Sequence, residues 1–122
     1  MRDLGRACEN AACDYLASKG YKIRGHNYTV KGGEIDIIAE KDSFLIFAEV
    51  KAKTAGYDIR AYGRPSDAVN FEKIKHIKFA ASDYLRKKRP SGLIPRMDVI
   101  EIMVHEFEDC FALEITHFEN AF

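Results

Sequence analysis

The chain has 122 residues, close to the commonest size of a single domain, so we expect one domain spanning residues 1–122. Apolar residues make up 47% and charged residues 31%, a balance that supports a buried core and excludes a disordered or collagen-like chain. The longest apolar run, residues 44–48, is too short to cross a bilayer, and the N-terminus lacks the apolar segment of a secretory signal. Three cysteines without a C-x-x-C pair fit a reducing cytoplasm, which is the expected location.

The net charge of zero conceals two regions of opposite charge. All 19 Lys and Arg residues lie in residues 1–97 together with 12 of the 19 acidic residues, which gives a net charge of +7 there. Residues 98–122 carry the other seven acidic residues and no Lys or Arg. A basic body of this kind can attract a polyanion such as nucleic acid, although a solvated helix face explains the same charges.

The N-terminal half is predicted to form one helix and three strands. Apolar residues recur at spacings of three and four from Leu4 to Ser18, which is typical of an amphipathic helix. Alternating segments and short turns then predict an antiparallel meander of three strands at residues 21–30, 34–40 and 44–53. The third strand begins with five consecutive apolar residues, so we expect it to lie centrally in the sheet with both faces buried.

The C-terminal half is predicted to add a second helix and two more strands. Residues 54–65 have no apolar period and are interpreted as a loop. Ser66 is interpreted as the N-cap of a helix that runs to Arg89, and two strands follow at about 97–104 and 110–117. The order α-β-β-β-α-β-β indicates an α/β fold with a mixed, mostly five-stranded sheet and helices packed against it.

Three charged residues on the second and third strands form the candidate chemical site. Glu49 and Lys51 are two apart on one strand and therefore share a face, and the meander can bring Asp36 beside Glu49. Two carboxylates so close need a cation between them, and oxygen ligands with room for water suit Mg²⁺. Lys51 could hold a nucleophilic water or stabilise charge on a phosphate oxygen, as phosphodiester hydrolysis requires. A salt bridge between Glu49 and Lys51, with Asp36 capping a turn, explains the same residues without activity.

The pattern D-x(12)-E-x-K, preceded by a helix that carries Glu9, resembles the PD-(D/E)xK nuclease superfamily. The closer resemblance is to the bacterial YraN family, restriction-endonuclease-like proteins that are similar to archaeal Holliday-junction resolvases. It rests on segments that follow one another along almost the whole chain: Gly5-Arg6 with Glu9, Asn27-Tyr28, Gly33-Glu34-Ile35-Asp36, Ala48-Glu49-Val50-Lys51, Ala68-Val69, Lys73, Arg96-Met97-Asp98-Val99 and His117-Phe118-Glu119-Asn120-Ala121-Phe122.

This resemblance implies a restriction-endonuclease-like, three-layer α/β/α fold and Mg²⁺- or Mn²⁺-dependent hydrolysis of DNA, including branched DNA. Asp36 and Glu49 would hold the metal with the Val50 carbonyl, Lys51 would be the catalytic lysine, and Glu9 would point toward the metal. Similar nucleases often act in pairs, so a homodimer is a further expectation. Contacts to DNA are expected from three basic residues: Lys53, Lys73 and Arg64.

Two other functions fit the same sequence. One is a nucleic-acid-binding or adaptor protein that keeps the nuclease fold without cleaving DNA, and the other is a protein-interaction module whose acidic tail meets a basic surface. The remaining polar residues are interpreted as structural, with Asp98 pairing with Arg96 or a loop amide and with His117 and Asn120 fixing the C-terminal end. The histidines have no metal-binding spacing, so no zinc site is expected.

Overall fold

The computed structural model describes residues 4–54 and 71–122, which form two helices and one five-stranded sheet. No helix in this part of the chain is long and apolar enough to cross a membrane. The expected helix start at Ser66, most of the loop before it and Arg64 lie outside the described residues. The elements are α1 (Leu4–Ser18), β1 (Lys22–Val30), β2 (Gly33–Lys41), β3 (Phe44–Thr54), α2 (Phe71–Lys88), β4 (Ile94–Glu106) and β5 (Phe111–Phe118).

The strands lie in the sheet in the order in which they occur along the chain, β1-β2-β3-β4-β5. The first three strands pair antiparallel, which confirms the predicted meander, and β4 pairs antiparallel with β5. β4 pairs with β3 in parallel, from Phe44 opposite Ile94 to Thr54 opposite Val104. β4 therefore begins at Ile94, three residues earlier than predicted. The strand can include Pro95, because a proline is tolerated near the start of a strand. The mixed sheet and the element order α-β-β-β-α-β-β are therefore confirmed.

One helix packs against each face of the sheet. On the α1 side, Ile46 and Ala48 of β3 belong to a buried cluster with Cys8, Ala12 and Leu16. On the α2 side, alternate residues of the same strand belong to a second cluster, which contains Leu45, Phe47, Ile77, Ala80, Ala81 and Tyr84. Both faces of β3 are thus buried, as its apolar run predicts. The three layers agree with the restriction-endonuclease-like fold that the resemblance implies.

The close approach of α2 to β2 depends on Gly33. A Cβ atom at this position would lie 2.2 Å from the backbone oxygen of His76 and 3.1 Å from the Cβ atom of Ala80. Because backbone atoms cannot yield as a side chain can, we expect Gly33→Ala to displace α2 and to lower the free energy of unfolding by about 1–3 kcal/mol. Gly25→Ala is the matched control on β1, since a Cβ atom there meets nothing within 4 Å. Urea denaturation compares the two, and equal stabilities would contradict the prediction.

Asp98, fully buried in β4, anchors the C-terminal segment. Arg96 donates to both of its carboxylate oxygens, at 2.9 and 2.8 Å, and the Nε2 atom of His117 lies 2.7 Å from Oδ2. The backbone N–H of Asn120 donates to Oδ1 at 3.0 Å. Burial by itself would raise the pKa of Asp98, but these donors outweigh it and keep the pKa below its ordinary value. Both expected partners of Asp98, the arginine and a loop amide, are present, and the structural interpretation is confirmed.

Candidate active site

Asp36 and Glu49 are neighbours across β2 and β3. The register ends with Ile37 opposite Ala48, and Asp36 and Glu49 are the residues that adjoin this last pair. The negative charge of Glu49 acts directly on Asp36 and raises its pKa. The sequence-based expectation that the meander brings these two acids together is met in the structure.

The side chain of Asp36 reaches sideways to the neighbouring strand. Its Oδ2 atom accepts a hydrogen bond of 2.8 Å from the backbone N–H of Val50 on β3. The partner of Asp36 is therefore on another strand and not in a turn, which removes the turn-capping explanation. Because the N–H and the carbonyl of one strand residue point to the same side, the carbonyl of Val50 also faces β2. The carbonyl of Val50 is therefore available as a third oxygen on the side of β3 that faces Asp36.

The pKa of Asp36 is raised from its ordinary value of 3.8 to about 7. Burial is the largest cause and the negative charge of Glu49 is the second, while the hydrogen bond from Val50 acts in the opposite direction. Glu9 contributes a smaller rise through its own charge. A divalent cation between the two acids would remove the repulsion that burial strengthens. The pair therefore has the electrostatic character of a functional site.

Glu49 is 4% exposed, and one of its carboxylate oxygens forms ion pairs with the ammonium groups of two lysines. The Nζ atom of Lys51 lies 3.6 Å from its Oε2 atom, and the Nζ atom of Lys73 on α2 lies 3.3 Å from the same atom. The first pair confirms that Glu49 and Lys51 share a face. The second is a finding that the sequence analysis missed, because it assigned Lys73 to DNA. Both ammonium groups compensate the burial of one carboxylate.

Glu9 of α1 and Asn27 of β1 border the acidic pair. The Nδ2 atom of Asn27 donates to the Oε1 atom of Glu9 at 3.3 Å, and Glu9 is half-buried, as expected for the border of an apolar stripe. The backbone of Asn27 has a φ of 53°, a left-handed value that asparagine tolerates better than most residues. The sequence analysis gave Asn27 no role. An asparagine within a predicted strand was the available signal, since strands are depleted in this residue.

The carboxylates of the described residues suit a metal that keeps part of its water shell. Within residues 4–54 and 71–122, no group of three or more His, Cys, Asp or Glu side chains is arranged to hold a metal ion. Asp36 and Glu49 therefore offer two carboxylates, and Glu9 acts on them from a longer distance. Mg²⁺ is commonly held by one or two carboxylates together with water and substrate phosphates, so the donor set fits Mg²⁺ or the similar Mn²⁺.

The structure describes two of the three basic residues that are expected to contact DNA, Lys53 and Lys73. Lys53 is half-buried on β3, two residues after Lys51 and therefore on the same face. Arg64 lies outside the described residues. Of the three basic residues expected at DNA, the structure brings Lys73 to the acidic pair and places Lys53 further along the same strand.

Fold and site together define an α/β protein whose central sheet carries a buried glutamate, Glu49, beside a half-buried aspartate, Asp36, with two lysines next to Glu49. The chain belongs to the Uncharacterised protein family UPF0102, whose family model matches residues 8–102, and this is the YraN family that the sequence resembles. It is similar to UPF0102 proteins from three bacteria. The protein from Carboxydothermus hydrogenoformans is 43% identical over 101 residues, which cover 83% of this chain and 82% of the relative. The protein from Alkaliphilus oremlandii is 38% identical over 123 residues, which cover 99% of this chain and 98% of the relative. The protein from Clostridium botulinum strain Alaska E43 is 36% identical over 121 residues, which cover 99% of this chain and 94% of the relative.

Proposed function

We propose that this protein is a metal-dependent nuclease that hydrolyses phosphodiester bonds in DNA. The observation that carries the proposal is the pair of neighbouring acids Asp36 and Glu49, with the ammonium group of Lys51 3.6 Å from Glu49. Lys51 and Lys73 compensate Glu49, but an ionised Asp36 beside it is unfavourable, because burial and the charge of Glu49 both raise the pKa of Asp36. A bound cation would relieve this repulsion, and metal-assisted hydrolysis uses such a pair of carboxylates.

Each residue of the site has a task in this proposal. Asp36, Glu49 and the carbonyl of Val50 would hold Mg²⁺ or Mn²⁺, which when bound polarises a phosphate and lowers the pKa of a water molecule. Lys51 places a positive charge where the phosphate oxygens gain negative charge during hydrolysis. Lys73 is released from Glu49 when the metal compensates that carboxylate, and it then contacts a phosphate of the DNA. Glu9 lies at the side of α1 and supplements the negative charge that attracts the metal.

The charge distribution supports DNA as the partner. Residues 1–97 carry a net charge of +7, and the last turn of α2 contains Arg86, Lys87 and Lys88. Lysine and arginine side chains bind the phosphate backbone of DNA without regard to sequence. The proposal that branched DNA is the preferred form, cut by a pair of protein chains, rests on the resemblance to junction resolvases.

The decisive experiment incubates the protein with branched, single-stranded and duplex DNA in the presence of Mn²⁺ or of EDTA. We expect cleavage with Mn²⁺, most of it on branched DNA, and none with EDTA. Lys51→Met protein, purified in the same way, is the control for contaminating nucleases. Equal cleavage by the wild type and by Lys51→Met would refute the catalytic role of Lys51.

Titration of Mn²⁺ into the protein tests the metal site separately from cleavage. The heat of binding should be present in the wild type and lost in Asp36→Ala. DNA binding that weakens steeply with salt, without Mn²⁺ binding and without cleavage, would instead assign the role of a non-catalytic DNA-binding protein. The two outcomes separate the proposed function from its alternative.

A further inference from the structure

A pocket of about 310 Å³ lies between α1 and β1. Four of its residues come from α1 at spacings of three and four, so they form one stripe of that helix. Two more come from β1. The lining residues are Arg6, Glu9, Asn10, Cys13, His26 and Asn27.

The pocket adjoins the proposed site of hydrolysis through two shared residues. Glu9 lines the pocket and also raises the pKa of Asp36 through its charge. Asn27 lines the pocket and is bonded to Glu9 at 3.3 Å. Glu9 therefore links this pocket to the acidic pair.

The lining groups match the parts of a nucleotide. The guanidinium group of Arg6 can bind a phosphate in a bidentate way and offsets the negative charge of Glu9. The carboxamides of Asn10 and Asn27 each donate and accept hydrogen bonds, which suits the edge of a base. The volume lies at the lower end of the range of about 300–1,000 Å³ for small-molecule sites, so the pocket accommodates one small ligand and not a duplex.

We propose that this pocket binds the nucleotide that adjoins the phosphodiester held at Asp36 and Glu49. The inference rests on the proposed function, because it assumes that DNA lies across the acidic pair. The recognition is of one phosphate, through Arg6, and of one base, through the two asparagines.

Cys13 provides a reporter inside the pocket. The described cysteines are Cys13, which is half-buried, Cys8, which is buried, and Cys110, which is exposed. In a Cys110→Ser variant, alkylation by N-ethylmaleimide at mildly alkaline pH therefore reports on Cys13, and fragment-ion mass spectrometry distinguishes it from Cys8. Burial, followed by the charges of Asp14 and Glu9, raises the pKa of the Cys13 thiol, so the reaction is slow enough to time.

The experiment measures this alkylation rate in EDTA with a deoxynucleoside monophosphate, the corresponding deoxynucleoside or inorganic phosphate as the probe. We expect the monophosphate to slow alkylation by about tenfold at ten times its dissociation constant, and the two fragments to protect less. Arg6→Ala should abolish most of the protection. Arg89→Ala, which removes an exposed arginine beyond the end of α2, should leave it unchanged.

Two results would overturn the pocket assignment: an alkylation rate unaffected by millimolar monophosphate, or full protection in Arg6→Ala. Because the assay contains no metal, it does not depend on hydrolysis. Protection without DNA cleavage would uphold nucleotide binding in the pocket and refute only the nuclease activity. Cleavage without protection would refute the pocket and leave the nuclease activity standing.

Discussion

Asp36→Asn is expected to make the metal-free protein more stable at pH 8 than the wild type. The pKa of Asp36 is about 7 in the folded protein and 3.8 in the ordinary case, so between these values the folded chain keeps a proton that the unfolded chain releases. The free energy of unfolding of the wild type must therefore fall as the pH rises from about 4 to about 7 and level off above that. At about 1.4 kcal/mol per pKa unit, the decline amounts to roughly 4 kcal/mol.

The free energy of unfolding of Asp36→Asn should show little of this decline between pH 4 and pH 7. Its side-chain oxygen can still accept the hydrogen bond from Val50, and its amide group can donate to Glu49 without adding a second negative charge. Urea denaturation in EDTA at pH 5 and pH 8 gives the measurement. Asp42→Asn is the control, because Asp42 is an exposed aspartate in the turn between β2 and β3. A wild type with equal stability at both pH values, or a variant with an unchanged decline, would contradict the prediction.

Mn²⁺ should remove more than half of the stability difference between the two proteins at pH 8. A ligand that binds only the folded state adds about 2.7 kcal/mol at one hundred times its dissociation constant. In the proposed site Asp36 and Glu49 would hold the ion, so the wild type should gain this stabilisation, whereas Asp36→Asn lacks one carboxylate and should gain little. The low stability of the metal-free pair and the proposed affinity for a cation would then have one cause, the repulsion between Asp36 and Glu49.

Local rules were sufficient to predict the sheet and the acidic pair. A turn of a few residues between two alternating segments enforces an antiparallel hairpin, and a hairpin fixes which residues lie opposite each other. Asp36 and Glu49 follow from that register. The apolar run at the start of β3 likewise predicted a central strand, since only a strand covered on both faces can bury all of its side chains.

The contact between Lys73 and Glu49 could not be predicted in this way. It joins a helix to a strand 24 residues earlier in the chain, and no hydrogen-bonding register relates the two. The contact depends on how closely α2 lies on the sheet, which is set by tertiary packing and by the missing side chain of Gly33. The raised pKa of Asp36 is equally a product of burial, which the sequence does not specify for a single polar residue.

Lys51→Met is expected to lower the rate of DNA cleavage by about 10²–10³-fold, the usual effect of removing one group that stabilises transition-state charge. Methionine keeps most of the side-chain volume, and Lys73 still compensates Glu49, so the variant should fold. Single-turnover cleavage rates at saturating protein and Mn²⁺ isolate the chemical step from DNA binding. The exposed Lys22 of β1 supplies the control variant, Lys22→Met, which should cleave at the wild-type rate.

Lys73→Met should weaken DNA binding, whereas Lys51→Met should slow the chemical step. The side chain of Lys73 is 44% exposed, compared with 26% for Lys51, so its ammonium group can leave Glu49 for a phosphate when DNA arrives. A phosphate contact contributes to binding before and during the reaction, so its loss should weaken DNA affinity and reduce the salt dependence while the single-turnover rate changes little. A large fall in that rate for Lys73→Met, with Lys51→Met unaffected, would exchange the two roles. The lysine that acts on the reacting phosphate would then come from α2 and not from β3.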